Sequence, residues 1–157
     1  MTENVDYLIH TGSLHAPRIK THSTEEFIGT NIISTLNLLE ASIENGIRRF
    51  VYSSTTSLYG HAVVSSERAV WVTEDLLPKP RDIYDVTKIV AEGLCEMFSK
   101  KYGLPCISLQ VSRFFPEPEY LITIYRLYRG VDVRDAAHAH ILAMTSETEG
   151  YGTFNWQ

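Results

Sequence analysis

Residues 49–57 read RFVYSSTTS, a short apolar run that passes directly into the hydroxyl series Ser53, Ser54, Thr55, Thr56 and Ser57. Alternation is missing from the apolar part, as expected of a strand covered on both faces, and hydroxyls at its end suit a loop on the rim of a sheet. On the N-terminal side, Ser23-Thr24-Glu25-Glu26 has the form of a capping box. Ile28, Ile32, Leu36, Leu39 and Ile43 follow it at helical spacing, and Gly46 closes the helix. Earlier still, VDYLIH (Val5 to His10) predicts another strand, ending in the small residues Thr11-Gly12-Ser13. On the C-terminal side, Pro78 and Pro80 close an irregular stretch from Tyr59 to Asp82. A helix is predicted over Tyr84 to Tyr102, with Val90, Ala91, Leu94, Met97 and Phe98 as its apolar stripe and Gly103 as its stop. Leu104 to Val111 predicts a third strand, Leu121 to Tyr128 another, Val133 to Met144 a helix and Tyr151 to Gln157 a last strand. Strands alternating with helices of these lengths predict an α/β parallel sheet with flanking helices, one domain over 1–157.

Composition narrows the functional classes. With 44% hydrophobic and 21% charged residues, the chain is too apolar for disorder, and it contains no window of eighteen consecutive apolar residues. Nineteen acidic residues against fourteen basic ones leave a formal charge of -5, which offers nucleic acid no attractive field. Cys95 and Cys106 form neither a CxxC nor a secreted framework, so reduced thiols and a cytoplasmic setting are expected. His138 and His140 stand two apart on a predicted helix, unlike i, i+4 metal ligands, and no metal site is expected. Tyr120, Tyr125, Tyr128, Arg126 and Arg129 could stack on a nucleotide, or simply form one face of a half-buried strand.

Tyr84-Asp85-Val86-Thr87-Lys88 places a phenol and an ammonium at i and i+4, on one face of one helix. A neighbouring ammonium favours the phenolate, which brings the tyrosine closer to use as a general acid or base. The spacing alone is common on solvated helices, and the hydroxyl series alone is better explained by Ser/Thr turns in a loop. Their joint appearance at the rim of one parallel sheet, where open α/β folds bind ligands, points to a site.

VDYLIHTGS (Val5 to Ser13), NIISTLNLLEAS (Asn31 to Ser42), GIRRFVYSSTTSLYG (Gly46 to Gly60), YDVTK (Tyr84 to Lys88) and GVDVRDAAHAHILAM (Gly130 to Met144) occur in the order in which they occur in NAD-dependent epimerases and dehydratases of the extended short-chain dehydrogenase/reductase group, and the chain resembles that family. The resemblance implies NAD or NADP as cofactor and a sugar nucleotide, or a similar small alcohol or carbonyl, as substrate. It implies Tyr84 as acid/base, Lys88 as ribose ligand and Thr55 as the hydroxyl that orients the reacting oxygen. It further implies that Thr11, Gly12, Ser13, His15, Asn31, Ser53, Phe114 and Phe115 line the cofactor together with Tyr84 and Lys88. The family's glycine-rich GxxGxxG turn has no counterpart among the nine glycines, so the expected fold is a partial Rossmann-like domain lacking its first βαβ half. Such a sheet would expose a strand edge and invite formation of a homo-oligomer. A noncatalytic remnant, keeping the catalytic face without holding the dinucleotide by itself, is the alternative reading.

Overall fold

The computed structural model describes residues 5–64, 70, 72–73, 76–113 and 130–156. Four strands, β1 (Tyr7–His10), β2 (Arg49–Thr55), β3 (Cys106–Val111) and β4 (Tyr151–Trp156), form one sheet in the order β1-β2-β3-β4. All three pairings are parallel. Every residue of β3 is buried, as expected of a parallel strand with helices over both faces. One register row runs Ser54, Gln110, Asn155 across the sheet and places three polar side chains near its C-terminal rim.

Each face of β2 packs into its own cluster. Phe50 and Tyr52 pack with Leu39, Ala91, Cys95, Phe98, Leu104 and Cys106, whereas Val51 packs with Ile107, Leu109, Val111, Ala136, Ala139 and Ala143. The first cluster lies under α2 (Ser34–Glu44) and α3 (Ile83–Tyr102), the second under α4 (Val133–Thr145). Alanines on α4 let that helix approach the sheet closely. Arg49, almost fully buried at the start of β2, joins the two layers by donating to the carbonyls of Ala143 at 3.3 Å and Thr148 at 2.7 Å and to the Ser146 hydroxyl.

The capping box forms: Ser23 Oγ accepts from Glu26 N–H at 3.2 Å and Glu26 Oε2 accepts from Ser23 N–H at 2.7 Å. It opens α1 (Thr24–Phe27), which runs through a π-helical turn (Ile28–Ile33) into α2. The buried stripe here differs in phase from the apolar spacing of the sequence. Phe27, Asn31, Thr35, Leu39 and Ser42 face inward, while Ile28, Ile33 and Ile43 are exposed. Small polar residues tolerate that position because Thr35 Oγ1 and Ser42 Oγ donate to the carbonyls of Asn31 and Leu38, and the π turn shifts the register that a pure 3.6-residue repeat assumes. On α3 the buried face likewise runs through Tyr84, Thr87, Lys88, Ala91, Cys95 and Phe98, with Val90 and Met97 exposed. Gly103 ends α3 in the left-handed conformation, at φ 71°. The strand expected over Leu121 to Tyr128 and the cluster of Tyr120, Tyr125, Arg126, Tyr128 and Arg129 lie outside the described residues.

Candidate active site

The C-terminal end of β2 and the first turns of α3 meet at one rim of the sheet. Asp82 caps α3 by accepting from Asp85 N–H at 3.1 Å. Asp85, fully buried, accepts from Ser57 Oγ at 2.7 Å, Arg81 N–H at 3.1 Å and Arg81 Nε at 3.3 Å. These bonds tie the loop after β2 to the start of α3. Gly60, at φ 45°, allows the Lys79 carbonyl to come so close that a Cβ at Gly60 would stand 2.2 Å from it. That carbonyl accepts from His61 N–H at 2.8 Å, and the approach to Tyr84 is held at both ends.

Tyr84 and Lys88 are both buried, on the face of α3 that looks onto β2. The Tyr84 phenol stands beside the Thr55 hydroxyl, whose oxygen accepts from Ser57 N–H at 3.1 Å. Lys88 Nζ donates to the Ser53 carbonyl at 2.8 Å and stands 4.8 Å from the Tyr52 ring centroid and 5.8 Å from that of Tyr84. Tyr84, Lys88, Thr55 and Ser53 therefore converge.

Burial sets the electrostatics of this group. It pushes the Tyr84 phenol up to about 12, with the nearby Thr55 hydroxyl pulling the other way, and pushes Lys88 down to about 8. The expectation that Lys88 brings the phenol toward neutral pH is thus not met in the chain by itself. Desolvation dominates, the Asp85 and Asp82 charges add to it, and the Lys88 ammonium is directed at the Ser53 carbonyl. In this state Tyr84 is a proton donor.

The loop after β1 forms the other wall. Asn31 is buried in the π turn; its Oδ1 accepts from Leu14 N–H at 2.7 Å, and its Nδ2 donates to Leu14 O at 3.0 Å and to Thr87 Oγ1 at 2.9 Å. Its amide clamps the loop to α3, one residue from Lys88. The His15 ring lies 5.9 Å from the Tyr84 ring, and burial followed by the Lys88 charge lowers its basicity. Ser13 Oγ is buried without a hydrogen-bond partner. Thr11 and Gly12 belong to the same loop, where His10 Cε1 would be 3.6 Å from a Cβ at Gly12. Phe114 and Phe115 lie outside the described residues.

Two contacts escape a reading of the sequence. His140 Nε2 is hydrogen-bonded to Ser53 Oγ, and its Nδ1 lies 2.7 Å from Ala136 O, so that Nδ1 carries the proton and Ser53 donates. Glu92 accepts from Gln110 Nε2 at 3.1 Å through both oxygens, one turn beyond Lys88. The available signals were a glutamine within the otherwise apolar strand CISLQV and an acid at i+4 from Lys88.

Among the described residues no group of three or more His, Cys, Asp or Glu could hold a metal ion, and no helix is long and apolar enough to cross a membrane. The model of the NAD dependent epimerase/dehydratase family matches residues 1–119. The uncharacterised UDP-glucose epimerase YtcB of Bacillus subtilis is 32% identical over 116 residues, covering 73% of this chain and 34% of its own length. The uronate dehydrogenase of Pseudomonas putida is 24% identical over 121 residues, covering 77% of this chain and 42% of its own. Among solved structures, UDP-glucose 4-epimerase of Thermotoga maritima with UDP-glucose superposes with a TM-score of 0.78 at 27% identity, over 96% of this chain and 55% of that one. MoeE5 in complex with UDP-glucose and NAD gives a TM-score of 0.80 at 23% identity, over 99% of this chain and 57% of that one. The chain thus spans about half the length of the solved structures and less of these curated relatives. With the family model covering most of the chain, and the same parallel sheet in the solved structures, the protein belongs to the NAD-dependent epimerase/dehydratase family.

Proposed function

We propose that this chain supplies the proton-handling wall of an NAD(P)-dependent epimerase or dehydratase acting on a sugar nucleotide. The observation that carries the reading is the convergence of Tyr84, Thr55 and Lys88 at the end of β2. Bound NAD(P) would supply a reversible hydride acceptor. The residues present fit its nicotinamide-ribose end: Ser13 Oγ is buried without a partner, and an ammonium has three protons, of which Lys88 gives one to Ser53 O. Thr11, Gly12 and His15 would line that end as well. Asn31 serves it indirectly, by fixing the Leu14 backbone.

Tyr84 exchanges a proton with the reacting substrate oxygen. Starting as a phenol, it donates to a carbonyl oxygen; working in the other direction, as a base, it requires added positive charge near the ring to offset desolvation. Thr55 holds the phenol oxygen in place, and its hydroxyl can be shared with the substrate oxygen. Lys88 contributes charge and hydrogen-bond donors. The test is titration of the chain with NADH and NADPH, followed by cofactor fluorescence and thermal stability together. UDP-glucose with NAD+ then serves as the substrate probe for wild type and Tyr84→Phe. The expected result is saturable binding that raises Tm, with turnover lost in Tyr84→Phe while binding is retained. Undiminished turnover in Tyr84→Phe would refute the acid/base role, and no binding up to millimolar cofactor would make the chain a noncatalytic remnant.

A further inference from the structure

Glu92 and Gln110 take no part in the chemistry above, yet they end a chain of hydrogen bonds with a single polarity. Asn155 Nδ2 donates to Tyr59 Oη at 3.3 Å, Tyr59 Oη donates to Gln110 Oε1 at 2.8 Å, and Gln110 Nε2 donates to both Glu92 oxygens at 3.1 Å. Because the Asn155 amide nitrogen can only donate, the one Tyr59 proton is left for Gln110. Gln110 must then turn its oxygen toward Tyr59 and its amino group toward Glu92. Two accepting oxygens are the hydrogen-bonding pattern of an ionised carboxylate.

Lys88, buried, lies four residues before the half-buried Glu92, one turn earlier on α3. The titratable groups facing Lys88 are His10 from β1, His15 from the following loop, Tyr52 from β2, and Tyr84, Glu92 and Cys95 from α3 itself. Those facing Glu92 are Tyr52, Tyr151 from β4, Cys95 and Lys88. The thiol of Cys95 and the three phenols are all pushed up, and His10 and His15 are held neutral. Burial raises the Glu92 carboxyl, the Gln110 hydrogen bonds and the Lys88 charge pull it back, and its two accepting oxygens make it the group in this set that is bonded as an anion.

We propose that Glu92 is a positioning residue for Lys88: its carboxylate, oriented by the Gln110 amide, is the counter-charge that keeps the Lys88 ammonium protonated inside the cleft. The proposal deepens the function above and rests on the role given there to Lys88. It is tested on the whole chain by following the 13Cε resonances of labelled lysine through a pH titration, with Lys88→Met identifying the signal. Glu92→Gln is expected to lower the Lys88 midpoint by about one pH unit, the scale of a nearby opposite charge. Glu92→Asp keeps the charge and is expected to hold the midpoint near that of wild type. An unmoved midpoint in Glu92→Gln, or an equal fall in both variants, would overturn the proposal. Should Glu92→Gln not fold, Tyr59→Phe removes only the hydroxyl that orients Gln110. It is expected to raise the Glu92 carboxyl midpoint read from 13Cδ, and an unchanged midpoint there overturns the proposal too. These readings need neither cofactor nor turnover, so a failure to bind NADH leaves them intact.

Discussion

Acidification should destabilise this protein through His10. The imidazole sits between β1 and the helices, with its ring centroid 5.5 Å from that of Tyr52 and 6.1 Å from that of Phe50. Its Nε2 is 3.0 Å from Thr35 Oγ1, whose own proton goes to Asn31 O, so His10 Nε2 is the donor. Burial, reinforced by the Lys88 charge, lowers its pKa from 6.5 to about 4. A depressed folded-state value means that the unfolded chain takes up the proton first. The stabilisation is complete above pH 6.5 and is lost as the pH falls toward 4. A difference of 2.5 units corresponds to about 3 kcal/mol. His15, lowered by burial and the Lys88 charge, adds a contribution of the same sign, and Glu92, raised by burial, one of the opposite sign. His10→Gln isolates the effect, since glutamine can still donate to Thr35 but does not titrate. Urea unfolding of both proteins from pH 7.5 to 4 should show the wild-type advantage shrinking by about 3 kcal/mol. Parallel pH curves for the two proteins would refute the reasoning.

Two further outcomes follow from packing. Gly60→Ala places a Cβ 2.2 Å from the Lys79 carbonyl at φ 45° and should cost at least about 2 kcal/mol, read as a lower Tm together with faster exchange of the His61 amide. Asn31→Ala removes three hydrogen bonds; Leu14 can be partly rehydrated, so the expected cost is about 2 to 4 kcal/mol in urea unfolding, with faster amide exchange at Leu14 and weaker NADH binding.

Much of the architecture was legible because it depends on local chemistry. The Ser23–Glu26 box, the Gly103 stop and the apolar strands around 50 and 107 are short-range signals, and each element formed where its residues indicated. Phase was less legible. Exposed Ile28 and Ile43, beside buried Asn31 and Thr35, show that hydrophobicity names the helix but not its inward face when small polar side chains find backbone partners. Pairing across the sequence was not legible at all: His140 with Ser53, and Asn155 through Tyr59 and Gln110 to Glu92, join residues from different elements.

The sequence by itself determined that strands and helices alternate, that a phenol and an ammonium share one helix face, and that hydroxyls follow a buried strand. These are consequences of side-chain period and type. Only the tertiary structure decided that the Thr55 hydroxyl stands beside the Tyr84 phenol, that the Lys88 ammonium gives one hydrogen bond to a backbone carbonyl, and that burial raises the phenol. Desolvation and hydrogen-bond direction depend on what surrounds a group in space, and spacing along the chain does not contain that information.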